Sequence, residues 1–271
     1  ANNDLGKASA AALKQLLWGE RAPCMLQSLN LSGNSTLDGY DCAIAIKRNE
    51  SLTSLDLRDI PSANSDDVYS FLGSFLLQDE CSCRLGFLSC DMFQVVAGQT
   101  ELVLQTTPPK TEEEAPPPAA TDVVAGQVAK TEAVIVPPKA NSVIMLLAGV
   151  VKFNTSLSVL CLAATGLDST AASYFATALR ENTVLQSLDL SNNPLLSAEG
   201  ITSIAEACRT HPSLVSIKVD GAALPLAQLR GAKGTEPTLD VTDWGLGHLS
   251  GCMIGIVARS NRMLVSLNLK S

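Results

Sequence analysis

The stretch LQSLDLSNN, residues 185–193, decides how this chain folds. Leu185, Leu188 and Leu190 obey the pattern L-x-x-L-x-L, and the S-N-N that follows is turn-forming. Side chains alternate along a strand, so Leu188 and Leu190 fall on one face of a short one. The phrase recurs as LQSLNLSGN at 26–34 and as LVSLNLKS at 264–271. Further copies open at Leu52, Leu85, Leu157 and Leu214, with Cys90, Ile217 and Val219 standing in for leucine. A weaker one opens at Glu236 with Leu239 and Val241. The steps 157 to 185 and 236 to 264 are 28 residues, and 185 to 214 is 29. A fixed period of that length marks a stacked-repeat architecture.

Between the strand segments the spacing turns helical. Ile201, Ile204, Ala205 and Cys208 share one side of a helix, with Ser197 the expected N-cap and Glu199 favourable in the first turn. GLDSTAASYFATALRENTVL (166–185) and GLGHLSGCMIGIVARSNRML (245–264) align without a gap, matching Arg180 and Asn182 to Arg259 and Asn261. One strand–turn–helix unit cannot bury its own apolar face, so neighbours must stack on it. The expected class is α/β, with parallel strands inside a curve and helices outside.

These motifs resemble the leucine-rich repeat family, in particular the subclass of 28–29 residues typified by ribonuclease inhibitor and the Ran GTPase-activating protein; they cover about 225 of the 271 residues. The resemblance implies a horseshoe solenoid with a concave parallel sheet, and a surface that binds proteins. It also implies that an Asn at the ninth repeat position bonds the backbone of adjacent turns. Asn34 and Asn193 match that position, whereas Ile60, Thr165 and Ala222 depart from it, so the ladder is expected to be incomplete. Counted from Leu264, the ninth position lies one past the last residue; aligning Leu5 with Leu167 puts Asn3 at a ninth position. The expectation is therefore that both ends contact further repeats or other subunits.

The repeats are interrupted. Leu85 to Leu157 is 72 residues, about 44 more than one unit needs. The expected organisation is one array in two parts, residues 1–94 and 141–271, separated by a Pro-rich insertion at 95–140. TTPPKTEEEAPPP at its centre favours extended or disordered chain. The insertion carries a doublet, VVAGQTELVLQTTPPK (95–110) and VVAGQVAKTEAVIVPPK (123–139), in which ELVL and EAVIV suit strands. A protruding ribbon that docks a partner and a tolerated surface loop are both open, since lengthening a loop costs little. A second irregularity, ALPLAQLRGAKGTEP at 223–237, puts a loop where a helix is due.

Composition narrows the function. Apolar residues make up 46% and the net charge is −8, which lacks the basic footprint of a nucleic-acid binder. The longest apolar run, Val143 to Val151, is too short to span a bilayer, so no membrane insertion is expected. The eight cysteines include buried strand and helix positions, Cys90 and Cys208, and read as reduced structural thiols. The Cys81–Cys83 pair has no nearby His for a zinc site. Four N-x-S/T sequons, at Asn30, Asn34, Asn49 and Asn154, read as chance, Asn34 being a ladder residue. Of the two histidines, His211 is expected at a helix end, favourable against the dipole, and His248 early in the last helix. Neither G-x-S-x-G nor H-E-x-x-H occurs, and GAKGT (231–235) fails the phosphate-loop spacing because Gly234 follows Lys233. No catalytic, cofactor or metal residue is assigned.

What remains is surface. The variable repeat positions put Asp56, Arg58, Asp91, Asp189, Lys218, Asp220 and Asp240 on the inner face as candidate contacts, a mildly acidic track suited to a basic protein partner. The leading expectation is a non-enzymatic interaction scaffold, intracellular and cytoplasmic, with organelle or cilium left open. A GTPase-regulating protein, by family resemblance, and a structural subunit with covered ends are the alternatives.

Overall fold

The computed structural model describes residues 3, 5–18, 24–104, 132–133 and 141–270. Helix α1 (Lys7–Trp18) leads into β1 (Ser28–Asn30), α2 (Gly39–Lys47), β2 (Ser54–Asp56), α3 (Asp66–Leu76) and β3 (Phe87–Ser89). The short strands β4 (Gln94–Val95), β5 (Glu101–Leu104) and β6 (Glu132–Ala133) follow. Regular alternation resumes with α4 (Asn141–Phe153), β7 (Val159–Cys161), α5 (Ser169–Glu181), β8 (Ser187–Asp189), α6 (Ala198–Thr210) and β9 (Ser216–Lys218). The last stretch comprises β10 (Leu224–Pro225), α7 (Leu226–Leu229), β11 (Thr238–Asp240), α8 (His248–Val257) and β12 (Ser266–Asn268).

In five of the repeat strands the central residue points into the core. Leu55, Leu88, Leu160, Leu188 and Ile217 are at most 2% exposed, and their neighbours in register are one another. Strands β1–β2–β3 and β5–β7–β8–β9 pair in parallel, as do β11 and β12. Helices cover the other side and pack on their sequence neighbours, α3 on α4 and α5 on α6 most extensively. A Cβ on Gly73 would lie 2.7 Å from the backbone N of Leu146, and one on Gly149 2.7 Å from Leu76 Cβ. Only glycine lets α3 and α4 approach this closely.

The strand layer is broken twice by the same device. After β3 the chain folds back antiparallel as β4, pairing Leu88 with Val95; after β9 it folds back as β10, pairing Ile217 with Leu224. Both hairpins return at seven residues. The backbone N–H of Cys90 closes the first by donating to Phe93 O at 2.9 Å. Each returning strand occupies the edge to which the next parallel strand would otherwise pair. Parallel order then restarts, at β5 in the first case and at β11 in the second. The helix layer does not break with it, since α3 packs on α4 and α6 packs directly on α8.

Residues 95 and 101–104, inside the expected insertion, therefore belong to sheet strands. ELVL forms β5 with Leu102 and Leu104 fully buried, and it pairs with β7 in parallel. Glu132 and Ala133 of EAVIV pair with β5 in parallel too, a geometry that a simple protruding ribbon would not have. Residues 105–131 and 134–140 of the expected insertion lie outside the described residues. At 223–237, the predicted loop contains the single turn α7, and Arg230 follows it directly.

Candidate partner-binding face

Asp56, Asp189, Lys218 and Asp240 are the last residues of β2, β8, β9 and β11, and Arg58, Asp91 and Asp220 lie two residues beyond β2, β3 and β9; most have partners within the chain. Asp189 Oδ1 accepts from the backbone N–H of Ser191 at 2.8 Å and from its hydroxyl at 2.6 Å. Asp240 Oδ1 does the same with Thr242, at 2.9 and 2.6 Å, and Asn30 with Ser32, at 2.9 and 2.7 Å. These are Asx-turns, in which a short polar side chain closes the bend leaving a strand. Hydrogen bonds from Thr242 and Asn268 hold the Asp240 carboxyl below the usual carboxylate range.

Asp56 closes the same turn by accepting from the Arg58 N–H, and also pairs with the Arg58 guanidinium at 2.7 Å. Burial alone would raise the Asp56 carboxyl, yet the Arg58 hydrogen bonds and charge leave it lowered. Asp91 accepts from the backbone N–H of Asp59 at 2.9 Å, joining adjacent units. Asp220 accepts a hydrogen bond from the Ser250 hydroxyl of α8. Lys218 Nζ lies 3.8 Å from Asp189. The acids expected to form a track thus serve first as turn and joint residues.

The registered strands nevertheless give the molecule one ordered open face. Val103, Cys161, Asp189 and Lys218 lie side by side across β5, β7, β8 and β9, each half-exposed. A second row, Glu101, Val159, Ser187 and Ser216, runs beside it, also half-exposed. The first row passes from apolar Val103 at β5 to charged Lys218 at β9, while the second has its charge, Glu101, at the β5 side.

Two ladders of largely buried side chains tie adjacent units together beside this face. In the first, Asn193 Nδ2 donates to Leu190 O at 2.8 Å and to Leu162 O at 2.9 Å, while Oδ1 accepts from the Leu167 N–H at 2.9 Å. Asn34 donates to Leu31 O and accepts from the Leu5 N–H. At the departing positions other groups take over. The Thr165 hydroxyl donates to Leu162 O, and Asn64, four residues past Ile60, donates to Leu57 O and Ile60 O. Asn64 Oδ1 also accepts from the Asp91 N–H and the Tyr69 hydroxyl.

The second ladder stands three residues before the first leucine of a unit. Asn49, Asn154, Asn182 and Asn261 each accept the N–H of that leucine, at 2.6, 2.6, 2.9 and 3.0 Å. Each Nδ2 donates back to a carbonyl of the preceding unit, at Leu17, Gly86, Val151 and Gln228 respectively. In sequence this is N-x-x-L, a signal present at four units; alignment of 166–185 with 245–264 matches Asn182 to Asn261 without showing the role. The sequons at Asn34, Asn49 and Asn154 are buried in these bonds, and Asn30 is exposed with its Oδ1 engaged by Ser32.

His211 replaces the ladder Asn in one unit. Its Nδ1 accepts from the Leu214 N–H at 3.0 Å, so the ring is neutral with the proton on Nε2, and buried Nε2 has no partner. Burial, then the charge of Arg230, pushes its pKa down to about 4. His211 is therefore not a cation at the helix end, as its position suggested. Arg230 fills that role, donating to Cys208 O and His211 O at 2.8 Å each and to Leu214 O. Likewise Ser197 occupies the N-cap of α6, but its hydroxyl pairs with Ser169 at 2.6 Å instead of capping.

The eight cysteines are unpaired thiols. Burial pushes Cys42, Cys83 and Cys208 up to about 12 and Cys90 up to about 11, which keeps them protonated and unreactive. Among the described residues no group of three or more His, Cys, Asp or Glu side chains is arranged to hold a metal ion, and no helix is long and apolar enough to cross a membrane.

Residues 181–205, from the end of α5 through β8 into α6, match the family model described as Leucine Rich repeat. No curated protein matches the chain in sequence. Among solved structures it is similar to one titled "Leiomodin-1 Actin-Binding Site 2 (ABS2)", with 20% identity, covering 47% of this chain and 62% of that one, at a TM-score of 0.32. The match spans less than two thirds of that structure, and a likeness of this size carries no argument about partner or activity.

Proposed function

We propose that this leucine-rich repeat chain is a non-enzymatic protein-interaction scaffold that binds its partner over the open face of β5, β7, β8 and β9. The observation that carries the reading is the registered, half-exposed row Val103–Cys161–Asp189–Lys218. Four parallel strands display it on a core that two buried ladders hold in place. A row apolar at Val103 and charged at Asp189 and Lys218 favours a partner segment with matching polarity. The charge of −8 favours one that is basic overall. In this reading the repeats follow the ribonuclease-inhibitor-like plan of a concave sheet with outer helices. The unpaired thiols favour a reducing, cytoplasmic setting. The GTPase-regulating alternative rests on resemblance alone.

The deciding experiment compares three baits in pull-downs from native extract: the whole chain, a chain with residues 105–139 replaced by a Gly-Ser link, and a Val103→Glu/Lys218→Glu variant. Loss of a partner only with the face variant supports the scaffold reading. Retention by the face variant with loss in the linker chain places recognition in the insertion and overturns it.

A further inference from the structure

The acids of the inner face are engaged in turns and joints, whereas those of a cleft between the first turns of α2 and α3 are not. The cleft holds about 560 Å³ and is lined by Asp38, Tyr40, Asp67, Val68, Ser70 and Phe71 among others. Local sequence builds it. In LDGYD (37–41) Asp38 is the N-cap of α2, its Oδ1 accepting from the N–H of Tyr40 and Asp41 at 3.1 and 3.0 Å. In SDDVYS (65–70) Ser65 is the N-cap of α3. A Cβ on Gly39 would lie 2.3 Å from Ala63 Cα, so only glycine lets the loop before α3 close on the start of α2. The Ser62 hydroxyl ties that contact, accepting from the Gly39 N–H at 2.9 Å and donating to Leu37 O at 2.7 Å.

One wall of the cleft is aromatic. The rings of Tyr40, which is 47% exposed, and Phe71 stand 5.3 Å apart at 54°. Ring faces are electronegative and attract cations. Phe71 already takes one from the last turn of α2, Lys47 Nζ at 5.8 Å from its centroid. Elsewhere the chain seats guanidinium groups the same way, Arg48 over Trp18 at 4.6 Å and Arg84 over Phe153 at 5.2 Å. The remaining polar groups are uncommitted. Among the described residues the Asp67 carboxylate and the Tyr40 and Ser70 hydroxyls have no hydrogen-bond or ion-pair partner, and Asp38 keeps its second oxygen open. Each helix start brings roughly half a positive charge. Asp38, Asp41, Asp66 and Asp67 together exceed it.

We propose that this cleft is a docking site for the guanidinium of an arginine carried by a partner protein. The planar cation lies against Tyr40 and Phe71 and donates through its fork to Asp67 and to the open oxygen of Asp38. A guanidinium suits both parts of the site, because it is weakly hydrated, stacks on rings and meets carboxylates in two-point geometry. An ammonium is compact and strongly hydrated, and gains less from the same wall. The cleft shares no residue with β5, β7, β8 or β9, so it stands or falls independently of the strand face.

The test titrates the complete, isotope-labelled chain with acetyl-Gly-Gly-Arg-Gly-Gly-amide at physiological salt and follows backbone amide resonances. Saturable shifts confined to residues 38–41 and 62–71 are expected. Tyr40→Ala and Asp67→Asn should each weaken binding about three-fold or more. Both side chains are exposed, and the amide spectrum of each variant shows directly that its fold is intact. A peptide with lysine in place of arginine should bind at least about three-fold more weakly. One with citrulline, which keeps the shape without the charge, should leave the resonances in place. Absence of saturable shifts overturns the proposal, as do shifts centred on Asp56, Asp59 and Asp91, which mark general attraction to acids. Equal binding of the lysine or citrulline peptide overturns it too, and so does binding indifferent to both substitutions.

Discussion

Asn182 shows how much one side chain carries here. It is 2% exposed, accepts two backbone N–H groups and donates to Val151 O at 2.7 Å, so Asn182→Ala strands three buried polar groups. The expected loss is about 2–4 kcal/mol of stability, read as a lower urea midpoint at unchanged slope. His211 makes the complementary case. Its pKa of about 4 in the fold lies below its ordinary 6.5, so from pH 6.5 downward the unfolded chain takes up a proton that the folded chain refuses. The stability it contributes is whole above pH 6.5 and is lost as pH falls through 4, up to about 3 kcal/mol. His211→Asn, which restores the ladder residue of the other units, should flatten that fall, measured as urea midpoints at pH 7.5 and 4.5. At this scale the ninth-position Asn34 and Asn193 were legible, because the repeat numbers them. Asn64 and Arg230 were not. They reach their carbonyls from irregular positions that no period assigns.

Elements tell a second story, in which loop and helix compensate for one another. Where α7 replaces a full helix, Arg230 supplies the donors that a ladder Asn gives elsewhere: its bonds to Cys208 O and His211 O parallel those of Asn182 to Val151 O and Asn154 O. Arg230→Met keeps the bulk but removes all three donations. It should cost about 3 kcal/mol or more and speed amide exchange across 208–230 ahead of the β7–β8 region. The α3–α4 joint depends instead on having no side chain. Gly73→Ala sets a methyl against the Leu146 and Met145 backbone and should cost about 1–3 kcal/mol by thermal or chemical melt, whereas Gly251→Ala, whose Cβ meets nothing, should cost nothing. The strands were legible from L-x-x-L-x-L, and the helices from their apolar spacing. β5 was legible as a strand but not as a member of the parallel sheet. A period built of strand plus helix has no place for a strand that enters the sheet without a helix of its own.

For the molecule as a whole, the repeat predicted one continuous strand layer, and the described residues form three parallel groups divided at β4 and β10. The hairpins were hidden because their returning strands are two residues long, too short to carry a period. Replacing residues 105–139 with a short link should leave the thermal midpoint within about 2 °C, since β5 and α4 keep their core contacts; a larger drop would show the link region to be structural. The two folded-back strands also have a consequence for what the strand layer can recruit. A partner strand that adds by backbone hydrogen bonds needs an open edge, and β4 and β10 already fill the edges of β3 and β9 that face onward along the chain.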